Sequence, residues 1–146
     1  MRGFTLVEVI VAFAIAALVL GAMAANYSRL HQAMEYRSVV RGILASMHGA
    51  RNEAERSGSP AVFFVDIVQR DFGVNDRVQG QIPEAVELRL VLAEREMDGR
   101  GRGYIRFYPA GGATGGSVDV MRQNDAAGVR LKVDWLFGRI SQEPLS

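Results

Sequence analysis

The sequence predicts an α+β fold, one long N-terminal helix followed by a small domain of strands whose sheets pack on that helix. Three observations predict it. An apolar block at the start runs without a break into apolar residues at helical spacing. That spacing stops at Ser57-Gly58-Ser59-Pro60. Beyond it, each periodic segment reads as a strand, and Gly, Asp and Asn turn signals separate the segments. The chain has 146 residues, room for one compact domain plus one long appended element.

The first element is the apolar block Phe4–Ala25, interrupted by Thr5 and Glu8 alone. As a helix, its 22 residues span about 33 Å, close to the roughly 30 Å hydrocarbon core of a bilayer. Only Met1, Arg2 and Gly3 precede it, and Arg2 with the terminal amine favours a cytoplasmic N-terminus. A cleavable secretory signal is the competing reading, with Ala22-Met23-Ala24 as its cleavage site. Glu8 argues against it. A carboxylate costs on the order of 2.5–3.5 kcal/mol at the centre of a membrane helix and less near an end, a cost a disposable signal has no reason to carry. A retained charge needs a cationic mate. If the chain is cut after Gly3, Phe4 supplies a new α-amino group and Glu8 becomes the fifth residue. The amine of one copy and the Glu8 of its neighbour then form a pair that sets the register between helices.

Helical spacing continues through residues 26–57. Tyr27, Leu30, Met34, Val40, Leu44, Met47 and Ala54 recur at intervals of three, four or their sums, with Arg29, Glu35, Arg37, Arg41, Glu53 and Glu55 largely between them. Gly42 and Gly49 weaken this helix locally, by up to about 1 kcal/mol each. Residues 58–146 form the strand region. Its candidates are Ala61–Ile67, Val86–Leu92, Tyr104–Tyr108, Val118–Met121 and Val129–Leu136. The turn signals are Asn75-Asp76, Asp98-Gly99, Gly111-Gly112 and Asn124-Asp125.

Composition and motif spacing narrow the chemistry. No Cys is present, so disulfides, cysteine metal sites and thiol nucleophiles are excluded. His31 and His48 are too far apart on one helix to share a metal. The pairs Glu53/Glu55 and Glu94/Glu96 read as exposed charge, and no Gly-x-Ser-x-Gly occurs. Gly111 and Gly116 have the interval of a phosphate loop, but Ser117-Val118 follow where Lys and Ser/Thr are required, and the turn lies between strands. No catalytic residue, cofactor or metal is therefore expected. The net charge of +1 gives no global basic field for nucleic acid; Arg100 and Arg102 in Asp98-Gly99-Arg100-Gly101-Arg102-Gly103 are the one candidate phosphate contact. Trp135 reads as a core or sheet-packing residue, with a partner contact as the alternative.

Gly3-Phe4-Thr5-Leu6-Val7-Glu8 resembles the class III signal of type IV pilins and pseudopilins. The resemblance implies a leader of residues 1–3 and a membrane-embedded prepilin peptidase that cuts after Gly3 and methylates Phe4. It also implies a subunit-assembly role for Glu8. Ala50-Arg51-Asn52-Glu53-Ala54, Ile105–Gly116 and Asp134–Ile140 are similar to segments of the GspH/FimT family, the H-type minor pseudopilins. That likeness implies a two-sheet antiparallel β-sandwich on the helix, Asp134–Ile140 being part of the final hairpin. The function it implies is that of a non-enzymatic minor subunit of a type II secretion pseudopilus. Its partners would be other pseudopilins of the filament and its tip, the prepilin peptidase and the inner-membrane assembly platform. The chain would cross the bacterial inner membrane once, at residues 4–25, with its C-terminal domain in the periplasm. FimT-like DNA uptake is the alternative, with Arg100 and Arg102 as the contacts.

Overall fold

The computed structural model describes residues 3–123 and 127–145. Met1 and Arg2 of the expected leader, and the Asn124-Asp125 turn signal, lie outside the described residues. The chain divides into two units, residues 1–34 and Glu35–Ser146. In the first, Leu6–Met23 is long and apolar enough to cross a membrane, and none of it is buried within the protein.

A single helix, α1 (Leu6–Ser57), enters both units. Its end follows from sequence. The Gly58 N–H donates to the Ala54 carbonyl at 3.1 Å while Gly58 takes a left-handed φ of 67°, and Pro60 cannot continue the helix. Within the second unit, Val39, Ile43, Met47, Ala50 and Ala54 are fully buried along one face. Their alternating spacing of four, four, three and four is that of an amphipathic helix packed on a core. Tyr27, Leu30 and Met34 continue the period but are exposed, and they lie in the first unit.

Eight strands follow, β1 (Ala61–Asp66), β2 (Asp71–Val74), β3 (Arg77–Gln81), β4 (Val86–Val91), β5 (Arg102–Phe107), β6 (Gly116–Arg122), β7 (Gly128–Val133) and β8 (Ile140–Leu145), with a short 3₁₀ turn at Glu94–Glu96. They form two four-stranded antiparallel sheets, β3-β2-β1-β5 (sheet A) and β4-β6-β7-β8 (sheet B). Phe63, Val65, Phe72, Ile105 and Phe107 of sheet A share one buried cluster with Val86, Val118, Val120, Leu131 and Val133 of sheet B and with the helix face.

Three strands, β2, β3 and β8, are not among the strand candidates, and β8 follows the segment Asp134–Ile140 likened to the final hairpin. β2 and β3 flank Asn75-Asp76, read only as a turn. Both turn residues have positive φ, 49° and 61°, the two-residue type I′ geometry that joins tight hairpins. β2 is four residues long and β3 is polar and exposed, so neither carries an apolar alternation. Gly42 also has a packing role. A Cβ there would stand 2.8 Å from the Phe72 ring, so the glycine lets sheet A approach the helix. Ser46 in the same helix donates to Gln79 of β3 at 2.7 Å.

Side-chain bonds fix the joints. Arg70 donates to the carbonyls of Ile82 (3.0 Å), Pro83 (2.6 Å) and Val86 (2.9 Å), clamping the crossing from sheet A to sheet B. On sheet B, Arg89, Asp119, Arg130 and Glu143 stand in register across all four strands as a row of alternating charge. Asp119 is 1% exposed, and Arg130 grips both its oxygens at 2.7 and 2.8 Å. This contact raises the Arg130 pKa above its ordinary value.

Candidate assembly site

The N-terminal unit carries the residues that the sequence marked for processing and assembly. Gly3, Phe4 and Thr5 precede α1 in irregular structure, and Phe4 is 83% exposed. Thr5 starts the helix. Its hydroxyl oxygen accepts from the Glu8 N–H at 3.3 Å, and its carbonyl accepts from the N–H groups of Glu8 (3.1 Å) and Val9 (3.3 Å). Thr5-Leu6-Val7-Glu8 thus has the spacing of a capping box, with an acid three residues after the cap. That signal was readable in the sequence and was absent from the reading above. It gives Glu8 a first, local source of stabilisation, the positive end of its own helix.

Phe4, Glu8, Val9, Ala12, Phe13 and Ala16 line a groove of about 400 Å³ along this unit. Glu8, Ala12 and Ala16 repeat every four residues and share one helix face. Ala12 and Ala16 form the small-xxx-small pattern that lets a second apolar helix approach closely. The site therefore offers an exposed Gly3-Phe4 segment, a carboxylate one turn inside the helix and a shallow apolar channel beside it.

The structure separates the two arginines proposed for phosphate contact. Arg100 is exposed, in a bend where Asp98 Oδ1 accepts from the N–H groups of Arg100 (2.8 Å) and Arg102 (3.1 Å). Arg102 begins β5 instead. Its Nε lies 3.1 Å from Asp66 Oδ2, opposite it in register on β1, and its guanidinium sits 4.8 Å over the Phe64 ring. Burial pushes the Asp66 carboxyl up. The Gln69 N–H, the Arg102 guanidinium and the Val68 N–H outweigh burial and hold it below its ordinary value. Arg102 is thus committed to holding sheet A together. Trp135 also departs from expectation. It lies in the turn between β7 and β8, not in a strand, and is 68% exposed.

Residues 39–136 match the family of type II transport protein GspH, and residues 1–24 match the prokaryotic N-terminal methylation motif. The chain belongs to the GspH family. It is 30% identical over 145 residues to type II secretion system protein H of Xanthomonas campestris pv. campestris, an alignment that covers 99% of this chain and 85% of that protein. No solved structure gives a significant match. In this GspH pseudopilin the methylation motif covers the Phe4–Glu8 segment and all of the apolar span Leu6–Met23, as in a membrane-anchored subunit. The GspH match covers the helix face and both sheets as far as the turn after β7.

Proposed function

We propose that this GspH pseudopilin is inserted in the bacterial inner membrane through residues 4–25, with its N-terminus cytoplasmic and the strand domain periplasmic. A prepilin peptidase hydrolyses the Gly3–Phe4 bond and methylates the new amine of Phe4. The assembly platform then draws the subunit into the pseudopilus beside other pseudopilins. Glu8 pairs with the terminal ammonium of a neighbour, and the Ala12–Ala16 channel receives that neighbour's helix. A charge pair inside an apolar bundle is unforgiving of misplacement, so it sets axial register as well as contributing energy. The observation that carries the proposal is a carboxylate one turn inside an otherwise apolar, unburied helix start that matches the methylation motif.

The test is replacement of Glu8 by Leu in the intact chain. Membrane insertion and cleavage should persist while co-purification with other pseudopilins drops to background. Wild-type levels of co-purification would refute the pairing. The alternative of DNA uptake gains no support, because Arg102 is spent on Asp66 and Phe64.

A further inference from the structure

Each sheet has two edge strands, β3 and β5 in sheet A and β4 and β8 in sheet B. An edge strand presents N–H and C=O groups that a further strand can use. The chain itself closes three of these edges. On β5, the Arg102 carbonyl accepts from the Asp98 N–H (3.1 Å) and the Arg106 carbonyl from the Thr114 N–H (2.9 Å), so both ends are covered. β3 is interrupted by a register shift against β2, and its Gln79 is held by Ser46 of the helix. On β8, the Arg139 carbonyl accepts from the Asp134 N–H, which sets the ladder so that Ser141 and Glu143 bond to β7 while Ile140, Gln142 and Pro144 face out. Pro144 has no N–H to give there.

The fourth edge, β4, is open. The Ala85 carbonyl accepts from the Gln123 N–H at 2.9 Å, continuing the β4–β6 ladder by one residue. Alternation along that ladder turns the backbone groups of Glu87, Arg89 and Val91 toward β6, and those of Leu88 and Leu90 away from it. Val86 also faces away, but its N–H is spent on the Pro83 carbonyl (3.0 Å) and its carbonyl on Arg70 (2.9 Å). Among the described residues, no group of the protein bonds to the outward N–H and C=O of Leu88 or Leu90.

The side chains of the outer face are unequally paired at this edge. The charged row of sheet B, Glu143, Arg130, Asp119 and Arg89, ends here at Arg89. Asp119 is gripped by Arg130 through both its oxygens. Among the described residues, Arg89 and Glu87 have no oppositely charged group within ion-pair distance, and both are exposed. An acid opposite Arg89 on an added strand would continue the alternation of charge.

We propose that the added strand is β4 of a second copy of this chain, running antiparallel about a two-fold axis at Leu88. The outward groups of Leu88 then bond to those of Leu88 in the second copy. In that register Glu87 of each copy stands opposite Arg89 of the other, twice over. These are non-hydrogen-bonded positions, where Cα atoms approach to about 4.5 Å and side chains are closest. A two-fold axis placed one residue along, at Arg89, would set Arg89 against Arg89 and leave inward-turned groups facing each other, so the charges select the first register. The pairing is isologous and closes at two copies. The spent groups of Val86 keep its ladder short. Pairing through β4 stands whether or not the chain enters a pseudopilus, because every group it uses lies in the strand domain.

The chain has no cysteine, so introduced ones report a single position. The full chain is prepared in non-ionic detergent micelles as two variants, Glu87→Cys and Arg89→Cys, and oxidised mildly, each alone and then mixed. The proposed register puts these positions within disulfide reach only across the mixed pair. The expected result is severalfold more disulfide dimer in the mixture than in either variant alone. Equal yields in all three samples would show contact through the apolar helices only and would overturn the proposal, as would no disulfide in the mixture. The remaining Glu87–Arg89 pair is then reversed. Adding Glu87→Arg to the Arg89→Cys variant should lower the mixed yield about tenfold, as replacing an attractive cross-strand pair by a repulsive one does. Adding Arg89→Glu to the Glu87→Cys variant should restore it. No loss on the first change would overturn the proposal. Should Arg89→Glu, which stands opposite Asp119, lower the melting temperature, the yields of the first three samples and the loss on the first charge change decide the matter without it.

Discussion

Glu8 has two sources of stabilisation with different reach. The local one is the N-terminus of its own helix, worth roughly 0.3–1 kcal/mol. The distant one is the proposed ammonium of a neighbouring copy. Glu8→Gln separates them, because Gln also serves in a capping box while carrying no charge. The variant should insert and be cleaved normally yet fail to co-purify with other pseudopilins. If Gln assembles as well as Glu, capping alone explains the residue. Asp66 offers a second test at this scale. Its folded pKa is depressed, so its stabilising contribution is complete above the ordinary value of 3.8 and is lost as pH falls through the lower folded value. Asp66→Asn should cost about 1–3 kcal/mol at neutral pH, the cost of leaving buried hydrogen-bonding groups poorly matched. The gap between variant and wild type in thermal melting should close as pH drops below 3.8. A gap that is constant down to strongly acidic pH would contradict the assigned cause.

The elements were unevenly legible. The helix was readable because its apolar period is long and its stop is chemically marked by Gly58 and Pro60. Val40, Met47 and Ala54 were rightly placed on its buried face, but Val39, Ile43 and Ala50 are buried there too. β1, β4, β5, β6 and β7 announced themselves through branched and aromatic residues. β2, β3 and β8 did not, since a four-residue strand holds too few side chains for a period and the exposed edge strands β3 and β8 need no apolar face. Trp135 misled because a large aromatic inside the strand candidate Val129–Leu136 suggests burial, whereas β7 ends at Val133 and Gly138, with φ of 60°, helps turn the chain there. At the assembly site, the residue types of Phe4 and Glu8 were evident. The channel at Ala12 and Ala16 needed the helix face to be drawn. Replacing both alanines with Leu should fill that channel. Membrane insertion should be unchanged and co-purification with other pseudopilins reduced severalfold, since close helix approach depends on small residues. Undiminished co-purification would show that neighbours pack elsewhere.

The whole molecule divides its chemistry between two units. The first keeps its apolar surface exposed, as a membrane or a neighbouring helix requires, and the second encloses its own core. Damage should therefore stay where it is made. Phe63, 1% exposed in the cluster shared by helix and sheets, should cost about 3–5 kcal/mol when cut to Ala, read by urea unfolding of the second unit. Insertion through residues 4–25 should be unaffected. Coupled loss of insertion would contradict this division. The role proposed for the N-terminal unit in turn rests on one event, the conversion of a membrane-anchored precursor into a subunit with a free, methylated Phe4. Mass spectrometry of the N-terminal peptide from membrane-extracted protein tests this most directly. The account predicts a chain beginning at N-methylated Phe4. A chain beginning at Ala25 or Asn26, or one retaining Met1, would contradict it.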